Sequence, residues 1–317
     1  MTRAGPRGMM AAVDRDQITA DVAARLVAEQ FPQWADLPVV PVGLNGWDNT
    51  TFRLGEELSV RLPSGGGYVP QIEKEHRWLP FLAGRLPLPI PEPIAIGRRN
   101  DEFPWPWSIY RWIDGEPASV GRIADVTEFA ADLAKFLTAL QAIDGSDGPP
   151  PGKHSSARGG PVARWEEGTR QAIDLLAADI DTKAVTEVWD AALASTWNRP
   201  LVWVHGDVVG SNLLVQNGAL SAAIDFGCSA VGDPACDMVM AWTFFAGESA
   251  KLFRRGLRLD DATWARGRGW ALWKALIVLS AERQEGADAQ AAARRFGWRY
   301  SAYEIIDLLL DDHRQSI

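Results

Sequence analysis

Asp207, Asn212 and Asp225 fall within one short segment, residues 201–237, in the runs His205-Gly206-Asp207, Asn212 and Asp225-Phe226-Gly227. Residues 201–204 are apolar and predict a strand that delivers Asp207 to its end. The pair Asn217-Gly218 predicts a tight turn joining residues 212–216 to 219–225 as a β-hairpin. With a two-residue turn, Gln216 faces Ala219 and Asn212 faces Ala223. Asp225 then lies on the same face, diagonal to Asn212. Diagonal neighbours are roughly 7–8 Å apart at the backbone, near enough for two side chains to share a cation. Asp207, just before the hairpin, approaches the same end. Two carboxylates and an amide oxygen are hard ligands that suit Mg²⁺, which commonly accompanies substrate phosphates. A single such tripeptide also fits a hairpin with ordinary surface acids. Asp-x₄-Asn followed by a hairpin ending in Asp-Phe-Gly is far more specific.

The run from His205 to Asn212, with Ile224-Asp225-Phe226-Gly227 and then Gly232-Asp233-Pro234-Ala235-Cys236-Asp237, resembles the aminoglycoside phosphotransferase family. These are kinase-fold enzymes that phosphorylate small molecules. The resemblance follows element order from Val39 to the C-terminal helices. It implies an α+β, bilobal protein-kinase-like fold, with a small antiparallel β-sheet N-lobe carrying one main helix and a larger, mostly helical C-lobe. It also implies that Asp207 orients or deprotonates the substrate hydroxyl, while Asn212 and Asp225 hold Mg²⁺ bridging the phosphates of ATP. Positioning and charge neutralisation would then supply most of the rate. His205 is expected to pack the loop and bond nearby backbone rather than move a proton. Asp233 and Asp237 are expected to brace the loop and the next helix.

On the nucleotide side the family expects a lysine on the third strand, and here no lysine precedes Lys74. The basic residue of 58–62 is Arg61. The run Ile72-Glu73-Lys74-Glu75-His76 resembles the family's helix pattern, whose second acid is the partner, hence Glu75. A guanidinium forms bidentate bonds with carboxylate and phosphate alike. Its planar fork nonetheless places charge differently from an ammonium, so nucleotide affinity is where the exchange would be felt. Lys74 should point to another helix face. The loop over the phosphates is expected at residues 43–51, although without a full G-x-G-x-x-G it also reads as a plain hairpin turn. Gly65-Gly66-Gly67 merely links strand to helix. By the same resemblance the backbone of Arg111 and Ile113 bonds the base, with Tyr110 behind it and Trp112 either stacking or core. Pro149 to His154 faintly mimics a phosphate loop, but its prolines offer no N–H and His154 stands where Ser or Thr is needed.

The elements that must position these groups follow from periodicity. Residues 16–31 predict an amphipathic helix, and 39–42, 50–54 and 58–62 an antiparallel meander. Residues 69–83 predict a helix, and the proline-rich 86–93 an extended segment. A further strand pair is expected at 94–96 and 107–112. Helical patterning then runs through 124–143, 162–177, 182–197, 234–246, 261–281 and 287–312, with a Gly/Pro/Ser-rich surface loop at 145–160. The expected division is a nucleotide-binding N-terminal lobe, 1–113, and a C-terminal lobe, 114–317, with the catalytic loop and acceptor site.

The chain has 317 residues, 47% hydrophobic and 23% charged, which suits two domains or one bilobal fold and argues against disorder. Asp+Glu 41 against Lys+Arg 32 leaves no basic footprint, so neither nucleic acid nor an anionic membrane is an expected partner. The acid excess would suit a cationic small molecule. Two cysteines, Cys228 and Cys236, without a CxxC exclude a four-ligand zinc site. Residues 1–10 lack an apolar run, and 238–246 and 275–280 are too short to span a bilayer. A cytoplasmic monomer or homodimer is expected. Glu248, Asp260, Asp261, Glu282, Glu285 and Asp288 could receive a polyamine sugar, though solvated helix faces explain them as well. Trp264, Trp270 and Trp273 have the spacing of a buried helix face. The leading expectation is ATP-dependent O-phosphorylation of an aminoglycoside or similar antibiotic. Alternatives are a macrolide kinase, or a metabolic kinase for an amino alcohol, sugar or homoserine. A silent nucleotide-binding protein, prompted by Arg61, has the intact Asp207, Asn212 and Asp225 against it.

Overall fold

The computed structural model describes residues 15–43, 46 and 48–316. The expected phosphate loop therefore lies partly outside the described residues, at Leu44, Asn45 and Trp47, as does the N-terminal stretch 1–14. The chain forms two compact units, one ending its first pass at Arg77 and including Glu92–Trp112, the other made of Trp78–Pro91 and Ile113–Ile317.

In the first unit, α1 (Ala20–Gln30) starts late because Thr19 caps it, accepting the Val22 N–H at 3.3 Å. Its buried face is Ala23, Leu26 and Val27. Strands β1 (Val39–Pro41), β2 (Asn49–Leu54) and β3 (Leu58–Pro63) form the expected meander, turning at Gly55. Helix α2 (Val69–Ala83) begins in this unit after a 3₁₀ turn at Gly66–Tyr68. Strands β4 (Pro93–Gly97) and β5 (Trp107–Arg111) complete an antiparallel sheet of order β1-β2-β3-β5-β4. One face of it buries Phe52, Leu54, Val60, Leu62, Trp107 and Ile109 with Leu26 and Val27 of α1.

Residues 78–91, within the span expected as one lobe (1–113), belong to the second unit. Trp78 packs edge-on against Trp203 at 5.2 Å, and the Pro89 carbonyl accepts the Ala223 N–H at 3.1 Å. Pro80 removes an intrahelical donor from this last part of α2.

The second unit opens with β6 (Glu116–Pro117), then α3 (Val126–Ala142), capped by Asp125. Residues 162–177 start as a 3₁₀ turn, Val162–Trp165, before α4 (Glu166–Leu175), and α5 (Thr182–Leu193) follows. Strand β7 (Val202–Val204) pairs with β10 (Ala230–Gly232). Between them lies the hairpin of β8 (Leu213–Gln216) and β9 (Ala219–Ala223), with β6 along the free edge of β8. A 3₁₀ turn, Pro234–Met238, leads to α6 (Met240–Thr243). Helix α7 (Gly247–Leu257) was not expected, although its buried residues Ser249, Phe253 and Leu257 recur every four positions. Helix α8 (Asp261–Glu285) is buried along most of its length, including Trp264, Trp270 and Trp273. The pattern at 287–312 divides into α9 (Ala289–Arg295) and α10 (Ala302–Gln315), the latter restarted by a Ser301–Glu304 capping box. The stretch 145–160 is not a surface loop throughout. Ser155 and Ala157 are buried, and Pro149 and Gly159 offer carbonyls to the N–H groups of Val231 and Asp233. No helix among the described residues is long and apolar enough to cross a membrane.

Candidate active site

Strand β7 ends in His205-Gly206-Asp207, and the turn is held from below by one carboxylate. Asp237 is fully buried, and its two oxygens accept the N–H groups of His205 (2.8 Å) and Gly206 (2.7 Å). Burial pushes the Asp237 carboxyl up, against those two hydrogen bonds. Gly206 sits at φ +84°, and a Cβ there would stand 2.3 Å from the Cys228 carbonyl oxygen. No other residue fits that turn. His205 Nε2 donates to the Ile224 carbonyl at 3.0 Å, Nδ1 accepts the Asp207 N–H at 3.2 Å, and the ring packs on Phe226. Both nitrogens are occupied by backbone, the bracing role expected for this histidine.

Asp207 is thereby presented with defined partners. Its Oδ1 is 2.6 Å from the Lys274 ammonium, and Asn212 Nδ2 donates to both its carbonyl (3.0 Å) and its Oδ2 (3.2 Å). Burial opposes ionisation here, but Lys274 and Arg158 outweigh it and hold the carboxyl below its ordinary value. Lys274 escaped the sequence reading, although a lone lysine inside the apolar run 270–280 was a visible signal. Arg158 had none.

The hairpin register differs by one residue from expectation. Gln216 faces Ala219 as predicted, but the ladder shifts between Leu214 and Val215, so Leu213 faces Ala223. Asn212 therefore faces Ile224, whose N–H it accepts at 2.8 Å. The cause is a bulge at Ser221, whose hydroxyl donates to the Leu214 carbonyl at 3.1 Å. Asp225 follows at φ +64°, in left-handed geometry, directly after the residue facing Asn212. The structure thus brings Asp207, Asn212 and Asp225 to one end of the hairpin.

These residues fit Mg²⁺ in a particular way. Asn212 spends its amide nitrogen on Asp207, which leaves its side-chain oxygen for a cation. Among the described residues no group of three or more His, Cys, Asp or Glu side chains is placed to hold a metal. A magnesium ion would accordingly take one carboxylate and the amide oxygen from the protein and complete its shell with phosphate and water.

In the first unit, Arg61 on β3 lies opposite Thr51 of β2, and its Nη1 is 3.6 Å from Glu75 Oε2 on α2. The pair forms, but as one long contact and not the expected bidentate fork. Glu75 is instead bonded by the buried Tyr110 hydroxyl, and its Oε1 has no hydrogen-bond partner among the described residues. Burial first, then Glu75, drives the Tyr110 phenol well above its ordinary value. Arg111 spends its N–H on the Glu92 carbonyl at 2.9 Å, so only its carbonyl is left for a base. The Ile113 backbone enters no hydrogen bond with the described residues. Trp112 lies under the Arg53 guanidinium at 4.8 Å.

Asp233 and three of the acids of the C-terminal helices have structural partners. Arg266 grips Asp233 at 2.6 and 3.3 Å, with both side chains buried. Asp260 and Asp288 cap α8 and α9, and Glu248 pairs with Arg255.

Comparison with known proteins agrees with this geometry. No curated protein matches the sequence. Among solved structures, the GDP and kanamycin complex of APH(2")-IIia is similar with a TM-score of 0.65 at 20% identity, covering 93% of this chain and 99% of that one. The streptomycin-ATP-APH(2")-IIa ternary complex gives 0.57 at 17%, covering 91% and 98%. The apoenzyme of macrolide 2'-phosphotransferase MphH from Brachybacterium faecium gives 0.57 at 20%, covering 87% and 97%. At these identities the likeness establishes the protein-kinase-like fold alone. The model of the phosphotransferase enzyme family matches residues 39–270, a span that holds Arg61, Glu75, Asp207, Asn212 and Asp225. By that match the chain belongs to the phosphotransferase enzyme family, as a small-molecule kinase.

Proposed function

We propose that the protein is an ATP-dependent O-phosphotransferase that moves the γ-phosphate onto a hydroxyl of a small molecule, most simply an aminoglycoside or similar antibiotic. The observation that carries this reading is Asp207, ionised and oriented by Lys274 and Asn212 at the end of the hairpin that bears Asp225. Asp207 orients the acceptor hydroxyl and takes its proton as the new bond forms. Mg²⁺, when bound by Asn212 and Asp225, would neutralise phosphate charge and fix the phosphates in place. Arg61, paired with Glu75, would supply positive charge to the nucleotide phosphates, and the Arg111 carbonyl and the Ile113 backbone would bond the base. ATP as donor keeps the protein in the cytoplasm.

One observation favours a macrolide or other bulky, weakly charged acceptor as a second reading. The surroundings of Asp207 carry two cations, Lys274 and Arg158, beside the indoles of Trp165 and Trp273, whose rings pack tilted at 4.4 Å. A polycation gains little there. Release of ADP from Mg-ATP over aminoglycosides, macrolides, choline and homoserine decides between them. No release with any acceptor, together with no Mg-ATP binding, overturns the kinase reading.

Two variants test the assigned roles. Asp225→Ala should weaken Mg-ATP binding at least tenfold and abolish its Mg²⁺ dependence, measured by calorimetry; unaltered affinity removes Asp225 as a ligand. Lys274→Met takes away the cation nearest Asp207, so burial then raises that carboxyl. Because Asp207 must be ionised to accept a proton, the acid limb of the kcat/KM profile should move up by about one pH unit or more. An unmoved limb separates Lys274 from Asp207.

A further inference from the structure

A guanidinium that forms no ion pair with the described residues lies beside the catalytic loop. The Nε and Nη1 atoms of Arg158 are buried and make no hydrogen bond, and no carboxylate among the described residues pairs with them. The group lies instead over the indoles of Trp273 (4.5 Å) and Trp270 (5.2 Å). Trp270 and Trp165 each add a buried Nε1 with no acceptor. Four N–H-bearing atoms in one aromatic cluster thus lack an oxygen to donate to. Leaving such groups unmet is costly, and more so for a charged one.

The backbone invests in this placement. Ser156 and Ala157, immediately before Arg158, both hold left-handed conformations at φ +48° and +56°. Two consecutive residues with a Cβ adopt them only when the surroundings impose it. The turn is tied down by Gly159, whose carbonyl accepts the Asp233 N–H at 2.7 Å. Arg158 also rests on the catalytic turn itself, since a Cβ on Gly206 would stand 2.9 Å from its own Cβ. Lys274 reaches the same place from α8, next to Trp273 and one turn beyond Trp270, and is only 8% exposed. Two cations therefore flank one carboxylate, Asp207. An Arg fork matches the oxygens of a phosphate in a way a point charge does not.

We propose that Arg158 and Lys274 form an oxyanion subsite in the second unit that holds the phosphoryl group as it reaches the acceptor hydroxyl. This rests on the kinase reading and deepens it. The subsite adds to the charge that Arg61 on β3 supplies. In the transfer, a lone pair of the acceptor oxygen forms the new O–P bond. The bond from the γ-phosphorus to its bridging oxygen breaks, with its electron pair leaving on ADP, and the hydroxyl proton passes to Asp207. Arg158 and Lys274 neutralise the non-bridging oxygens and change no bond. A carboxylate on the acceptor would meet the same fork. Phosphoryl is favoured because the two cations flank the very group that faces the reacting hydroxyl.

Inorganic phosphate titrated into the full chain at constant ionic strength, followed by tryptophan fluorescence, tests this, because Trp270 and Trp273 carry the guanidinium. Acetate is titrated in parallel. Wild-type protein should give a saturable response to phosphate and none to acetate. Arg158→Gln should weaken phosphate binding at least tenfold and slow ADP release by a similar factor, with Mg-ATP affinity little changed. Arg158→Lys, which keeps charge without the fork, should fall between and serves if the Gln variant misfolds. No saturable phosphate response, or one that both variants leave unchanged, overturns the subsite. A response to acetate alone assigns the fork to an acceptor carboxylate and overturns the phosphoryl role. Mg-ATP binding measured on the same samples keeps the two readings apart. Arg158-dependent phosphate binding without any Mg-ATP binding overturns the kinase reading and leaves an anion site. ADP release unaffected by Arg158→Gln overturns the subsite and leaves the kinase.

Discussion

Replacing Asp207 by Asn should lower turnover by about 10³-fold or more while Mg-ATP affinity changes less than about twofold. The side chain keeps its size, and an amide oxygen can still accept from Lys274 in place of Oδ1, which now lies 2.6 Å from the ammonium. What disappears is the capacity to take the acceptor proton and the negative charge that orients the hydroxyl. The new amide nitrogen also faces Asn212 Nδ2, which at present donates to Oδ2 at 3.2 Å. Two donors cannot share that contact, so Asn212 should retain only its bond to the residue 207 carbonyl. ADP release with a productive acceptor gives the first quantity, and calorimetric titration with Mg-ATP gives the second. Turnover within tenfold of wild type would remove Asp207 as the proton acceptor. A parallel loss of Mg-ATP affinity would instead recast Asp207 as a metal ligand. The variant leaves Lys274 buried against a neutral partner, so the assays belong well below its lowered unfolding midpoint.

The site was legible in the sequence where its geometry is local. Asn217-Gly218 adopts the left-handed pair at φ +53° and +82° that a two-residue hairpin turn demands, and the Gln216–Ala219 closure follows from it. Helix α2 has the expected bounds because its apolar spacing is local too. The bulge at Ser221 was not legible, since nothing in an Ala-Leu-Ser-Ala-Ala strand marks which residue leaves the ladder. That one residue moves Asn212 from Ala223 to Ile224. Lys274 shows how far a motif can reach. Its charge stands out in an apolar helix, but its partner is 67 residues away and only the packed fold joins them. Arg158 is the opposite case. A Gly/Pro/Ser-rich composition predicts a solvated loop, and the burial of Ser155 and Ala157 and the approach of Arg158 to the catalytic turn depend on contacts that composition does not encode.

The second large effect is expected far from any substrate, at Arg266. Its guanidinium bonds Asp233 through Nε at 2.6 Å and Nη2 at 3.3 Å, and its remaining donors go to Ser195 Oγ, the Ala262 carbonyl and Thr263 Oγ1. The two side chains are 3% and 7% exposed. Arg266→Met therefore strands a carboxylate in the interior, a change that costs about 3–5 kcal/mol when one partner of a buried pair is removed. Against a total stability of about 5–15 kcal/mol this is a large fraction. At roughly 2–4 °C per kcal/mol, the apparent midpoint should fall on the order of 10 °C. Adding Asp233→Asn should recover much of the loss, because the stranded charge goes while the amide oxygen still caps the Ala235 N–H, now bonded at 3.0 Å. A thermal scan of wild type, single and double variants checks both steps. A single variant within a degree or two of wild type, or a double variant less stable than the single, removes the pair as a brace. Activity should fall with stability even where the protein is folded. Asp233 opens the 3₁₀ turn Pro234–Met238, and that turn carries Asp237, whose carboxylate holds the His205 and Gly206 amides. A loosened Asp233 reaches Asp207 through four residues of turn, so kcat should drop several-fold in the folded single variant and return in the double.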